Sequence, residues 1–286
     1  MTNDLRRTKL ARLSLVVAAT LTLTWETVNG TKTTDQVVMA AAQVEKVDAV
    51  TRWLAEGAQL ETTDHQGKTA LEAAIQSGHT DVVKMLLLAG ANVNAGAGTR
   101  TSALHVAAAS GKTDIVNALL DAGARVDVVD QDGNAPLHIA VANPTNKEIV
   151  KALLDAGARV DAANHEGMQP LHLAARSAGV GTVQTLLASG AKADAVDVHG
   201  LRPLHLVALG GARRMNAVRA SAAGAQNLRK LLYGLEYLTV VKVLLSNGAS
   251  FDVKDKNGKR PIDYAAEGGF TEMVDVLLAA GAKPPR

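Results

Sequence analysis

The sequence predicts an all-α solenoid, a row of similar helical units in which each unit buries its apolar side against its neighbours. One observation is a dipeptide that recurs at fixed spacing, and the other is the helical spacing of apolar residues between its occurrences. Four of the six intervals are 33 residues, a period typical of stacked supersecondary units. The dipeptide is Gly-Ala, and its glycines are Gly57, Gly90, Gly123, Gly157, Gly190, Gly248 and Gly281.

The first 30 residues lie outside this repeat and have the pattern of a secretory signal. Basic residues between Arg6 and Arg12 precede an apolar run from Leu13 to Leu23, and Val28 and Gly30 have the small-residue spacing of a cleavage site. The run is shorter than the ~20 residues that cross a bilayer, which favours a signal over a transmembrane anchor; a basic arm outside the fold is a further alternative. We predict a signal peptide at 1–30, a repeat domain at 31–286 and a periplasmic or secreted protein without a stable membrane anchor after cleavage.

Composition and motifs exclude several classes of function. The chain has no cysteine, which excludes disulfides, thiolate metal sites and a cysteine nucleophile. Its net charge is +2, and the leader holds four basic and two acidic residues, so residues 31–286 are neutral; this is evidence against nucleic-acid binding. We find no phosphate-binding loop, zinc-protease helix or nucleophile elbow. The sequence predicts neither an enzyme nor a cofactor or metal site.

Each unit is predicted to begin with a tight turn, clearest at Asp130-Gln-Asp-Gly133. Aspartate can bond its own backbone, and glycine accepts the positive φ that other residues resist. The third unit, with Gly96, Gly98 and Arg100, lacks this motif, so its turn is not predicted, and the first unit is degenerate, as a terminal cap should be. The seven units begin near Asp35, Asp64, Ala97, Asp130, Asn164, Asp197 and Asp255.

Two helices are predicted to follow each turn, an inner helix and then an outer helix. The inner helix of several units starts with a proline, whose fixed φ suits the first helical position. In the outer helix, apolar residues such as Val82, Val83 and Leu86 recur at helical spacing, and Gly90 ends the helix. The prolines are Pro136, Pro170, Pro203 and Pro261. The helix-capping Thr69 and Ser102 give way to Ala135, Gln169, Arg202 and Arg260 in later units, at a cost of roughly 1 kcal/mol each.

The whole unit resembles the ankyrin repeat. In the fourth unit, the turn is followed by Pro136-Leu137-His138, and the unit ends with Leu153-Leu154-Asp-Ala-Gly157. The resemblance covers residues 34 to 283 and implies about seven helix-turn-helix units, including degenerate caps, with β-hairpin-like turns. It also implies a non-enzymatic scaffold that binds a partner protein through a concave face and the hairpin tips. Together with the leader, it suggests an exported bacterial member of the family, which we expect to be a monomer.

Four histidines recur at intervals of 33 or 34 residues, so each occupies the same place in its own unit. In ankyrin repeats this histidine bonds the backbone near the adjoining hairpin, so we expect a structural role and not a metal site. Glu72 and Asp263 take its place in two units. The four are His105, His138, His172 and His205.

The interval between Gly190 and Gly248 is 58 residues, one period plus 25. The insertion covers about 212–237 and holds five basic residues and one acidic residue. Leucines at helical spacing from Leu228 to Leu235 predict that its second half extends the outer helix backward from a cap at Asn227. Three interpretations remain open: a solvated loop with a helix extension packed on its neighbour, a partner-binding element, and an element that contacts a membrane surface.

We predict a partner-binding hot spot on the fifth and sixth units. Four of its residues are expected to be apolar and outward-facing, namely Met168, Val198, Leu201 and Leu209, unless the insertion covers them; clustered exposed apolar residues often mark interaction sites. The predicted partner-binding residues are His165, Glu166, Met168, Arg176, Val198, His199, Leu201, Leu209, Arg213, Arg214, Arg229 and Lys230.

Two alternative functions remain open from sequence alone. The first is a carrier or protector of haem or a metal ion in the cell envelope, which would use His165, His199, Met168 and Tyr237. The second is an effector secreted into a host cell, which shares the binding chemistry but differs in destination.

Overall fold

The structure is a computed structural model that describes residues 47–55, 57, 59–64, 67–95, 101–220 and 226–285; for Trp53 and residues 214–220 and 226–233 it describes the backbone alone. The predicted signal peptide, the first turn near Asp35 and the third turn near Ala97 lie outside these residues. Within them the chain forms thirteen α-helices, with no strand beyond one isolated bridge between Thr63 and Thr69. The predicted all-α solenoid is confirmed.

The helices alternate between the two predicted kinds. The inner helices are α2 (Ala70–Ser77), α4 (Ala103–Ser110), α6 (Pro136–Val141), α8 (Pro170–Arg176), α10 (Pro203–Ala220) and α12 (Pro261–Glu267). The outer helices are α1 (Val47–Ala55), α3 (Thr80–Leu88), α5 (Thr113–Asp121), α7 (Lys147–Asp155), α9 (Val180–Ala188), α11 (Gln226–Ser246) and α13 (Thr271–Ala279).

The units stack in a single row. Each inner helix contacts the outer helix of its own unit and the inner helix of the next, and each outer helix contacts the next outer helix. Two adjacent leucines precede each Gly-Ala dipeptide of the middle units, and the first of each pair is fully buried: Leu86, Leu119, Leu153 and Leu186. Every unit therefore shelters its apolar side against its neighbours, as the period predicts.

The inner helices begin with a shared backbone contact, even where the capping hydroxyl is absent. Thr69 forms a full capping box, because its hydroxyl accepts from the Glu72 amide at 3.3 Å and its own amide donates to Glu72 Oε2 at 2.9 Å. At Ala135 the hydroxyl is absent, yet its amide still donates to His138 Nδ1 at 3.1 Å. The side chain three residues into the helix thus preserves half of the box in the later units.

The inserted hairpin, which we define as residues 212–237, differs from one interpretation of the sequence in its first half. The interpretation of a loop there is wrong, because α10 continues to Ala220. This stretch has no proline and is rich in alanine and arginine, which are good helix formers. The predicted backward extension of the outer helix is confirmed, although α11 begins at Gln226, one residue before the expected cap at Asn227.

Because of the insertion, α10 projects beyond its neighbours. It has 18 residues, whereas α8 has 7, and at 1.5 Å per residue the difference corresponds to roughly 16 Å. The extension lies at the end of α10 away from the turn that precedes Pro203. None of the helices within the described residues is long and apolar enough to cross a membrane.

The base of the inserted hairpin is fixed to the stack by an aromatic contact. Tyr237 is buried, and its hydroxyl donates to the Arg176 carbonyl oxygen at 3.1 Å. Its ring meets Phe270 edge to face, with the centroids 6.3 Å apart. The α10 backbone comes so close that a Cβ on Gly210 would collide with the Arg176 carbonyl oxygen, and one on Gly211 would lie 2.7 Å from the Phe270 ring. Both positions therefore require glycine.

Candidate functional site

Each described turn is closed by an aspartate or asparagine at its start. At Asp197, Oδ1 accepts from the amides of His199 and Leu201, both at 2.8 Å, and the Asp197 amide donates to the Leu201 carbonyl at 3.0 Å. The same contacts recur at the turns that start with Asp130, Asn164 and Asp255. The turn backbone is thus satisfied internally, so the outward side chains are available for other contacts.

These contacts also shift the pKa of the turn carboxylates. Burial raises the pKa of Asp130, but hydrogen bonds from the backbone and side chain of Asn134 and from the Asp132 amide outweigh it, so the pKa is lowered overall. The pKa of Asp255 is lowered in the same way: burial raises it, but hydrogen bonds from Tyr264, Lys259 and Asn257 lower it by more than burial raises it. Both carboxylates therefore stay ionised as hydrogen-bond acceptors.

Neighbouring turns are joined through their backbones. The His165 amide donates to the Asp132 carbonyl, Val198 to Glu166, and Lys256 to His199, each at 3.0 Å. We call the four joined turns, residues 130–134, 164–168, 197–201 and 255–259, the turn ridge. The junction between the turns that begin at Asn164 and Asp197 requires glycine: Gly167 has a φ of 72°, and a Cβ there would lie 2.9 Å from the Val198 nitrogen.

The recurring histidines tie the inner helices to the ridge, as expected. His138 accepts at Nδ1 from the Ala135 amide and donates from Nε2 to the Met168 carbonyl at 3.1 Å. His105, His172 and His205 make the equivalent contacts to the next turn or its flank. Burial lowers the pKa of all four. The predicted structural role is confirmed, and the neutral Nε2–H form is the one that fits both contacts.

Four predicted site residues form an exposed patch on the ridge. We define the tip patch as His165, Glu166, Val198 and His199, all exposed, with Val198 at 46%. Leu201 is half-buried beside it. Val196, exposed at 51%, also belongs to this surface and was missed by the sequence analysis; its position directly before the turn aspartate was the available signal.

The prediction that Met168 faces outward is wrong. Met168 is only 8% exposed and packs with the apolar core. It occupies the last position of its turn, where Asn134 and Leu201 stand in neighbouring units and are half-buried. Its long, flexible and apolar side chain reaches the core from there, while its backbone binds His138 and Asn164.

Three further predicted residues form a second patch, away from the ridge. We define the arginine patch as Arg176, Leu209 and Arg213; the two arginines are exposed and the leucine is half-buried. Arg176 is the last residue of α8, and Arg213 lies in the extended part of α10. The side chains of Arg214, Arg229 and Lys230 lie outside the described residues.

The inserted hairpin does not cover the tip patch. Val198 and Leu201 precede the start of α10, whereas the inserted hairpin leaves from its other end. The exposure of Val198 agrees with this placement. The alternative in which the insertion buries the outward apolar residues is therefore wrong for Val198.

The residues of the haem or metal alternative do not converge. Met168 is buried, and the Tyr237 hydroxyl is bound to the Arg176 carbonyl, at the far end of the inner helices from His165 and His199. Over the described part of the chain, no group of three or more histidine, aspartate or glutamate side chains is arranged for a metal ion. The structure gives this alternative no ligand set.

Pairs of helices that stack in a row and are joined by exposed turns define a helical-repeat solenoid. A family model described as "Ankyrin repeats (3 copies)" matches residues 17–97, 95–164 and 146–220, and one described as "Ankyrin repeats (many copies)" matches residues 229–278. The chain belongs to the ankyrin-repeat family. The first match begins inside the predicted leader, whose cleavage stays a prediction.

A curated relative supports the same family. The Escherichia coli (strain K12) protein YahD, described as an ankyrin repeat protein, is 45% identical over 49 residues. The matched segment is 17% of this chain and 24% of that protein, so the similarity spans about a quarter of the relative's length. It supports the repeat and carries no information about the partner.

Proposed function

We propose that this protein is a scaffold that captures a partner protein through the turn ridge and the exposed side of the inner helices, with its main contacts on the fifth and sixth units. Ankyrin repeats generally mediate protein–protein interaction and are typically non-enzymatic. The observation that carries the proposal is the exposure of two valines, Val198 in the turn that begins at Asp197 and Val196 directly before that turn, each about half exposed.

The rigidity of the ridge supports this role. The backbone of each turn is bonded within itself and to a neighbouring turn, so the backbone that carries the exposed side chains is already ordered before a partner arrives. A preorganised surface loses little conformational entropy on binding. Apolar anchors such as the two valines, ringed by the polar side chains of His165, Glu166 and His199, match the usual anatomy of a protein interface.

The test replaces Val196 and Val198 with arginine and measures capture of the partner. The partner is first identified by photo-crosslinking from position 198 in living cells, and affinity is then measured with the purified pair. We expect the double variant to bind at least about tenfold more weakly, because two apolar contacts that the partner would bury are replaced by charges. Circular dichroism should not change, since both side chains are exposed.

Val129 provides the matched control. It holds the same repeat position as Val196, directly before a turn aspartate, and is 53% exposed, but it lies on an earlier unit. Val129→Arg should leave the affinity unchanged. Equal binding by the Val196/Val198 variant and wild type would overturn the proposed hot spot, and equal loss in the control would show that the effect is not localised there.

We further propose that the chain acts as a monomer in the periplasm or outside the cell. The support is the basic residues and short apolar run of the leader. Cell fractionation with N-terminal sequencing should find a mature chain that starts near Thr31 in the periplasm or medium, and light scattering should give the mass of one chain. An uncleaved chain in the cytosol would contradict export, and delivery into a host cell would favour the effector alternative.

A further inference from the structure

The arginine patch holds two cations that are not used by the fold. Neither the Arg176 nor the Arg213 side chain forms an ion pair or hydrogen bond with any side chain or backbone group that the structure describes. By contrast, Arg125, Arg159, Arg202 and Arg260 each contact an acidic residue. Exposed arginines without an internal partner are available to an external anion.

The three patch residues lie side by side on one surface. Arg176 and Leu209 are each the seventh residue after the helix cap, Gln169 or Arg202, so they occupy the same position in consecutive units. The two helices touch here, because the Arg176 carbonyl lies directly against Gly210. Arg213 follows Leu209 by four residues and therefore shares its face of α10. Its Cα is roughly 6 Å further along the helix than that of Leu209, so Leu209 has one arginine on the neighbouring helix and one a turn further along its own.

The surroundings of the patch do not neutralise it. In the seventh unit, Glu267 holds the position that Arg176 and Leu209 hold in theirs, but its carboxylate is paired with Lys259 at 2.7 Å. Ala142 holds it in the fourth unit, where a small side chain leaves space on the surface. Besides Arg213, the inserted hairpin holds four basic residues and one acidic residue, a net charge of +3. Since residues 31–286 are neutral and the whole inserted hairpin carries +4, the rest of 31–286 carries −4.

The base of the inserted hairpin is also held in place. The Tyr237 hydroxyl donates to the backbone carbonyl of Arg176, the residue whose side chain belongs to the patch, and the Tyr237 ring packs on Phe270. The position of Arg213 relative to Arg176 is therefore fixed by buried contacts on both sides of Gly210 and Gly211. The insertion places a positive charge at a defined point of the binding face, beyond the reach of the shorter inner helices.

We infer that the arginine patch recognises an acidic segment of the partner protein, with a carboxylate between Arg176 and Arg213 and an adjacent apolar side chain on Leu209. This inference rests on the proposed function and names the chemistry of its partner. Arginine binds carboxylates through paired, charge-assisted hydrogen bonds. The half-buried leucine adds a dry contact that favours a protein segment over a simple anion.

The experiment measures fluorescence anisotropy of the purified full chain with a labelled peptide made of leucine, aspartate and glutamate. The probe for comparison is the same peptide with asparagine and glutamine in place of the acids. We expect the acidic peptide to bind at least about tenfold more tightly, and its affinity to fall as salt is raised. An Arg176→Gln/Arg213→Gln variant should lose about tenfold in affinity for the acidic peptide and nothing for the amide peptide.

The matched control is Arg125→Gln/Arg159→Gln. These arginines also hold equivalent positions in consecutive units and are exposed, but each is paired with an aspartate at 3.3 Å. The control should bind like wild type, and all variants should keep the wild-type melting temperature.

Three results would overturn the inference: equal affinity for the acidic and amide peptides, no loss in the Arg176/Arg213 variant, or tighter binding to anionic lipid vesicles or duplex DNA than to the acidic peptide. If the arginine variant captures the natural partner normally while the Val196/Val198 variant does not, this inference fails and the proposed function stands. If the valine variant also captures it normally, the proposed hot spot fails as well.

Discussion

The buried histidines make stability depend on pH. In the folded chain their pKa is lowered by burial, whereas in the unfolded chain it returns to about 6.5. The unfolded state then binds more protons below that pH, so stability is full above about pH 6.5 and falls as the pH drops below it. We expect a lower urea midpoint at about pH 5.5 than at about pH 7.5.

A variant isolates one histidine from the other titrating groups. His172→Gln keeps an oxygen acceptor near the Gln169 amide and a nitrogen donor near the Leu201 carbonyl, the two partners of His172, but it does not titrate. The change of midpoint with pH should therefore be smaller in the variant than in wild type. An unchanged pH dependence would contradict a role for His172.

Arg260 shows how a cap residue can acquire another role. Its guanidinium donates to both oxygens of Asp263, to Asp252, and to the carbonyls of Lys283 and Pro284. These contacts lower the pKa of Asp252 and raise that of Arg260. Since Asp263 is 9% exposed, Arg260→Ala removes the cation that neutralises a buried carboxylate, and we expect a loss of about 2 kcal/mol in the free energy of unfolding.

Arg202 provides the comparison, because it holds the same cap position. It makes one ion pair, with Asp194 at 3.6 Å. Arg202→Ala should cost clearly less than Arg260→Ala in urea unfolding. Similar losses would mean that the Arg260 contacts contribute little.

At the scale of the residue, the sequence predicts roles that repeat and misses roles that do not. The histidine contacts follow from a position that recurs in unit after unit. The burial of Met168 and the network of Arg260 depend on partners that occur once, such as Asp263 and the carbonyl of Pro284. No periodic pattern in the sequence predicts those contacts, so only the structure shows them.

At the scale of the element, the inserted hairpin tests how glycine fits into a helix. Gly210→Ala, in α10 just before the inserted hairpin, would place a Cβ against the Arg176 carbonyl oxygen, while Gly234→Ala, in the part of α11 that belongs to the inserted hairpin, meets nothing within 4 Å. We expect the first change to destabilise the chain by roughly 1–3 kcal/mol and the second to stabilise it by up to about 1 kcal/mol. Thermal unfolding measures both.

These two variants also report on the anchor of the hairpin. A neutral or stabilising Gly210→Ala change would show that α8 and α10 are not in close contact there. Tyr237→Phe removes only the hydroxyl that donates to the Arg176 carbonyl. Its free energy of unfolding should lie between those of the two glycine variants.

The sequence predicted one helix of this insertion and not the other for a physical reason. Leucines at helical spacing identify a helix that packs, as in the second half. The first half has few large apolar residues, and its helix rests on intrinsic propensity and on continuation from α10. Pattern analysis has no signal for a helix of that kind.

At the scale of the molecule, the single row of units predicts that damage stays local. Leu153 and Leu277 are both fully buried, but α7 has neighbours on both sides and α13 on one. Truncation of either to alanine should cost roughly 2–5 kcal/mol locally. In hydrogen exchange, Leu277→Ala should lower protection in α12 and α13 alone, whereas Leu153→Ala should lower it in the units on both sides.

Uniform loss of protection in both variants would contradict this behaviour, since it would mean that the chain unfolds as one cooperative body. The 33-residue period alone predicts that the units stack in a row. It does not predict which side chains are exposed on that row, because exposure depends on how each turn packs against the next.

The separation of tasks within the turns has an evolutionary consequence. Aspartate, glycine and backbone amides hold the ridge, so the side chains at 165, 166, 198 and 199 are free to vary without loss of the fold. A lineage could therefore redirect this protein to a different target by changing a few codons. The same freedom makes these positions natural sites for a library that selects new specificities.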